Sequence, residues 1–204
     1  MLAITRSKVV DVCGVSPSEV PILEPEAALY PSTLFDRQDG ALPWRVARVR
    51  SRQEKVLARH LLRSGVGFYL PLERKEVRRN GRLFVSQLPL FPGYLFFRGT
   101  AAERVAALRS NVIVGLLEVP DQEVLGRELA NLWSIQQAGL PLVAHPWIGP
   151  GDEVKIVGGP FKGWTGTVLR EKGRLRLVVS VTFLRQSVAA ELAREAVAPL
   201  AKAG

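Results

Sequence analysis

The chain has 204 residues, 47% apolar and 23% charged, a globular composition with room for one large domain or two small ones. One cysteine, Cys13, excludes a disulfide framework and a cysteine-rich zinc site, and His60 and His145, the only histidines, lie too far apart in sequence to suggest a metal site. A net charge of +9 points to a polyanionic partner or to broad solvated cationic faces, and it is concentrated in residues 42–120, where fifteen Lys/Arg stand against five Asp/Glu.

Residues 1–41 read as an extension. Pro17, Pro21, Pro25 and Pro31 punctuate it, no period runs long enough for an element, and partial disorder is expected. Its first residues lack the apolar run of a signal peptide, and no run in the chain approaches the ~18 apolar residues of a membrane span. A cytoplasmic protein without a membrane segment is expected.

Trp44–Val49 reads as the first strand. Ser51-Arg52-Gln53-Glu54 has the spacing of a capping box and predicts a helix to about Ser64, with Gly65 just beyond it. Val56, Leu57, His60 and Leu61 form its apolar face. Arg52, Lys55, Arg59 and Arg63 form a basic stripe opposite, either a solvated face or a contact to phosphates. His60 reads as a half-buried packing residue. Phe68–Leu72 is a second apolar strand, interrupted by Pro71. Asn80-Gly81 predicts a two-residue hairpin turn whose tip is crowded by Arg78, Arg79 and Arg82.

The hairpin leads into Leu88-Pro89-Leu90-Phe91-Pro92-Gly93-Tyr94-Leu95-Phe96-Phe97, the most apolar and aromatic run in the chain. Pro92-Gly93 predicts a type II turn. Leu95 and Phe97 read as core, while the proline, glycine and neighbouring aromatics suggest an exposed apolar ledge for a partner. Thr100-Ala101-Ala102-Glu103 is a second capping box, starting a short helix with Val105 and Leu108 expected inside. Asn111 suits a left-handed position before a strand at 112–119. Asp121 caps a helix ending near Gly139, with Val124, Leu125, Leu129, Leu132 and Trp133 on its apolar face. Residues 42–139 therefore form one sheet with packed helices. Residues 140–149 read as a proline-punctuated linker. Residues 150–204 read as a small all-β barrel, because residues 174–183 alternate with a period of two and glycines mark the corners. Helix propensity over 187–202 competes with that reading, and a free barrel is expected.

Two motifs in this order give the chain a family likeness. Leu90-Phe91-Pro92-Gly93-Tyr94-Leu95-Phe96 resembles the F-P-G-Y segment of the NusG N-terminal domain. Pro150-Gly151-Asp152-Glu153-Val154-Lys155-Ile156, followed by Gly159-Pro160-Phe161-Lys162-Gly163 and Gly166, resembles a KOW motif. The resemblance covers residues 42–204. It implies an α+β protein: an antiparallel-sheet α/β sandwich joined by a flexible linker to an SH3-like KOW barrel. It also implies a transcription elongation or antitermination factor that binds the clamp helices of the largest RNA polymerase subunit and suppresses pausing or termination. On this chain the implied polymerase pocket is Tyr69, Phe91, Pro92, Tyr94 and Phe96. The basic stripe and hairpin tip would face upstream or non-template DNA. The barrel would recruit termination factor Rho or a small-subunit ribosomal protein, through Phe161 and Leu184. No cofactor or metal is implied, and a monomer is expected.

The comparable stretch to the polar triad of RfaH-like members, Ala106-Ala107-Leu108, is apolar here. The wording of Ser187–Leu192 and the long extension nevertheless resemble a specialised paralogue. No P-loop, dinucleotide fingerprint or catalytic constellation is present in the sequence, so an enzyme is not expected. The alternative reading is a ribosome-associated RNA-binding protein of KOW type, which shares the charge and the barrel but leaves the aromatic ledge unexplained.

Overall fold

The computed structural model describes residues 27–36, 42–140, 142–145, 153–156, 165–171, 174–192 and 197–199. The N-terminal half is built on a five-stranded antiparallel sheet: β1 (Leu29–Tyr30), β2 (Trp44–Val49), β3 (Phe68–Tyr69), β6 (Tyr94–Arg98) and β7 (Ile113–Leu117), in the order β1-β3-β6-β2-β7. Between β3 and β6, β4 (Leu72–Arg79) and β5 (Arg82–Pro89) pair only with each other. Asn80 and Gly81 at the tip have φ of 49° and 76°, the two positive values that this short turn needs.

Alternation along the strands divides the apolar residues between two faces. Ala47, Val49, Phe68, Leu95 and Phe97 meet α1 (Glu54–Arg63) and Ala107 of α2 (Ala101–Leu108) on one side. Trp44, Val46, Tyr69 and Phe96 meet α3 (Gln122–Gln137) on the other. The result is a mixed α/β sandwich, as the sequence predicts. The expected starts of α2 and α3 are present. The Thr100–Glu103 capping box closes, and the Asp121 side chain accepts from the Val124 amide at 2.9 Å. Asn111 sits at φ 57°, and Gly65 and Gly139 follow their helices with φ of 67° and 72°.

Other expectations are corrected. The first capping box does not form: Arg52 takes φ 61°, Gln53 becomes the N-cap without a side-chain bond, and Glu54 turns inward. On α2, Val105 and Leu108 are exposed and Ala107 is buried, because the helix packs its alanine edge, Ala106 and Ala107, against α1. Within the extension, residues 27–36 are ordered. β1 pairs with β3 and places Leu34 in the core.

The C-terminal part is a six-stranded antiparallel sheet in the order β13-β9-β10-β11-β12-β8. Its strands are β8 (Leu142–His145), β9 (Glu153–Ile156), β10 (Thr165–Glu171), β11 (Arg174–Val181), β12 (Gln186–Leu192) and β13 (Val197–Pro199). Strands, not a helix, therefore occupy 186–192 and 197–199. Residues 142–145, expected in the linker, pair with β12 from Ser187↔His145 to Ala190↔Leu142. Nor is this sheet free. Leu177, Val181, Val188 and Ala190 share one apolar cluster with Leu125, Leu129, Leu132 and Ile135 of α3. Sequence periodicity shows that a face is apolar but not which element covers it, and here one cluster runs through both halves.

Candidate interaction surfaces

The run from Leu90 to Phe97 folds as a turn and a central strand. The Tyr94 amide donates to the Phe91 carbonyl at 3.1 Å, and Gly93 has φ 85°, so Pro92-Gly93 forms the expected turn. It is held from two sides. The Gly93 carbonyl accepts from the Val49 amide at 2.8 Å, and the Gly93 amide donates to Glu54 Oε1 at 2.7 Å. The residue expected to cap its own helix thus ties α1 to the turn. Glu54 as a residue is only 5% exposed, so the bond is largely shielded from water.

Of the five residues that the resemblance implies for a polymerase pocket, four of them from the expected apolar ledge, the structure leaves little at the surface. Pro92 is exposed and Tyr94 half-buried, whereas Tyr69, Phe91 and Phe96 are fully buried. They are nonetheless brought together. Tyr69 pairs with Phe96 across β3 and β6, and Phe96 meets Phe91 edge to face with centroids 5.9 Å apart. Tyr69 is fixed further by Gln136: its hydroxyl donates to Gln136 Oε1 at 2.6 Å, and Gln136 Nε2 donates to the Leu72 carbonyl at 2.9 Å. Burial holds the Tyr69 phenol well above its usual 10.0, so it remains a neutral donor. The accessible part of the site is a depression of about 320 Å³ lined by Arg48, Val49, Ser51, Glu54, Pro92, Gly93 and Tyr94.

Local sequence reasoning missed what covers the stack. Phe35 of the extension lies against Tyr69 edge to face at 5.3 Å, against Trp133 of α3 at 6.3 Å and against Trp44 at 5.7 Å. The apolar pair Leu34-Phe35 behind Pro31-Ser32-Thr33 is the one sequence signal for this contact, and without a period it reads as loop.

The cations fall on other surfaces. Lys55, Arg59 and Arg63 are on α1, on the face of the sheet opposite the aromatic stack, and Arg52 stands in the turn before it. Arg78 and Arg82 are exposed near the tip of the free-standing hairpin, and Leu83, Phe84, Val85 and Leu88 are exposed along its second arm; the Arg79 side chain lies outside the described residues. His60 is a packing residue whose Nε2 donates to the Ala106 carbonyl at 2.8 Å.

In the C-terminal sheet, Phe161 lies outside the described residues. Leu184, expected as an exposed contact, is half-buried in a 3₁₀ turn (Thr182–Leu184) and packs on the shared cluster. The same turn is latched to α3. Glu128 accepts from Thr182 Oγ1 at 2.6 Å and from the Thr182 amide at 3.1 and 3.2 Å.

The family model described as "Transcription termination factor nusG" matches residues 42–125, which span β2 to the first turn of α3 and hold the Pro92-Gly93 turn and the hairpin. Over those residues the chain is similar to the NusG family. It is 28% identical over 124 residues to the transcription termination/antitermination protein NusG of Thermus thermophilus, an alignment covering 52% of this chain and 66%, just under two thirds, of that relative. Similar solved structures include one described as domain interaction in Thermotoga maritima NusG, 20% identical, with a TM-score of 0.46, covering 78% of this chain and 98% of that one. Another is an MjSpt4:Spt5 complex, 20% identical, with a TM-score of 0.27, covering 78% and 97%. Among the described residues no helix is long and apolar enough to cross a membrane, and no group of three or more His, Cys, Asp or Glu could hold a metal ion.

Proposed function

We propose that this chain is a transcription elongation and antitermination factor that binds the clamp helices of RNA polymerase through the Pro92–Tyr94 corner and the aromatic stack beneath it. The observation that carries this reading is the pinned turn. Pro92 is exposed, Tyr94 is half-buried, and Glu54 and Val49 hold the backbone between them, so an apolar corner is presented without loss of chain entropy on docking. Arg52, Lys55, Arg59 and Arg63, and the hairpin cations Arg78, Arg79 and Arg82, serve upstream or non-template DNA. The C-terminal sheet, with Phe161 and Leu184, takes a second partner, Rho or a small-subunit ribosomal protein. Because Leu184 packs on the shared cluster, that partner competes with α3 for the sheet.

Apolar docking and phosphate contacts respond differently to salt, and this separates the two roles. The test is co-purification of the full chain with core RNA polymerase at high salt. Wild type is retained, Tyr94→Ala is lost although it melts cooperatively, and Arg78→Ala/Arg82→Ala is retained while its DNA affinity and salt dependence fall. Loss of polymerase by the arginine variant to the same degree as by Tyr94→Ala would refute the division of labour.

A further inference from the structure

We propose that residues 27–36 form an autoinhibitory strap, a segment of the chain's own N-terminal extension that closes the aromatic stack and must be displaced for that stack to dock. The inference rests on the polymerase-docking reading above and adds an element of control within the N-terminal half itself.

The strap is seated, not merely adjacent. Leu29 pairs with Tyr69 and Tyr30 with Phe68, the Leu70 amide donates to the Ala28 carbonyl at 2.7 Å, and a turn closed by the Leu34 amide on the Pro31 carbonyl at 2.9 Å swings Leu34 and Phe35 over the sheet. The receiving surface is shaped for it. At Gly67 a Cβ would stand 3.0 Å from Leu34 Cδ1, 3.4 Å from the Tyr30 carbonyl oxygen and 3.5 Å from Pro31 Cδ, so the strap lies where any side chain at 67 would be. Phe35 then covers Tyr69 directly, and Tyr69, Phe96 and Phe91 form one continuous set of contacts to the Pro92–Tyr94 corner.

It is also weakly held. The paired strand has two residues, at the edge of the sheet, where pairing on one side only is easily frayed. Only Leu34 is fully buried; Ala27, Leu29, Tyr30 and Phe35 are half-buried at the margins of the two clusters, against the conformational freedom of a ten-residue segment. Such a segment is suited to exchange: tethered to β2, it re-closes readily, yet a partner offering a larger apolar surface displaces it. Removing Phe35 would uncover Tyr69 and Trp133 together, both of which it touches.

The test uses two full-chain variants from opposite sides of the contact, Phe35→Ala and Gly67→Val, neither of them in the proposed docking set. Each is made alone and with Glu128→Ala, so that the C-terminal sheet does not limit access. Strap release is read without polymerase, as loss of hydrogen-exchange protection at the Leu70 amide. Docking is read as affinity for core polymerase. If the strap is closed in most molecules, its release should tighten binding by about tenfold, since apparent affinity scales with the competent fraction. Loss of Leu70 protection with tighter binding in both variants supports the strap. Loss of protection with unchanged binding, in a wild type that does bind, overturns it and leaves the docking reading standing. Weaker binding also overturns it, showing the segment to be part of the docking surface. Failure of wild type and every variant to bind overturns the docking reading and the strap with it.

Discussion

Glu54 offers the sharpest test of how the apolar corner is held. In Glu54→Ala the Gly93 amide loses its acceptor at 2.7 Å, and α1 loses the one acidic side chain in its first turn. A hydrogen bond to a charged group is worth about 1.5–3 kcal/mol net. The adjoining depression of about 320 Å³ admits water to the freed amide, which places the loss at the low end of that range. Removing a carboxylate from a helix N-terminus adds about 0.5 kcal/mol. The sum, about 2 kcal/mol, corresponds to a Tm about 4–8 °C lower for a chain of this size, whose two halves share one apolar cluster. Glu54→Gln keeps an acceptor at the same place and should lose about half as much. Thermal melting of the full chain gives the magnitude, and hydrogen exchange at Gly93 gives the location. A fall of less than about 2 °C, or a Gly93 amide still protected in Glu54→Ala, would refute the argument that this carboxylate pins the turn.

Two further outcomes follow from the same structure. Asn111 sits at φ 57° between α2 and β7, so Asn111→Gly should leave stability unchanged or slightly higher, whereas Asn111→Val should cost about 1–2 kcal/mol, read by denaturant unfolding. The latch between α3 and the C-terminal sheet should respond to pH. Burial raises the Glu128 carboxyl above its usual 4.5; the hydrogen bonds from Thr182 and the charge of Arg127 oppose this with smaller effects, and Asp121 adds to it. A raised pKa in the packed state means that this group favours packing fully below pH 4.5, and that the contribution is lost as pH rises through the raised value. Interdomain contacts followed by NMR or limited proteolysis should therefore loosen over that interval in wild type and stay level in Glu128→Gln. An unchanged pH profile in the glutamine variant would assign the titration to another group.

Much of the architecture could be read from the residues because its signals are local. Asn80-Gly81 can hardly do anything but turn, Thr100 and Asp121 cap because their oxygens reach amides two and three residues away, and the period of two over 174–183 yields β11 as far as Val181. The F-P-G-Y run carries both its turn and its likeness to the NusG family for the same reason, since neither depends on distant partners.

What the local signals left open is which surfaces remain free. Glu54 has the spacing of a capping residue, but the turn brings an unpaired amide, that of Gly93, within its reach, and a shielded bond there prevails over an exposed cap. Aromatic character marks Tyr69, Phe91 and Phe96, yet whether they form a ledge or a core depends on Phe35, Trp133 and β11, which lie far from them along the chain. Composition alone determined that this protein has apolar faces to bury and cations to present. Only the tertiary structure decided that the extension and the C-terminal sheet would cover the aromatic face, because burial is settled by long-range packing and leaves no period in the sequence.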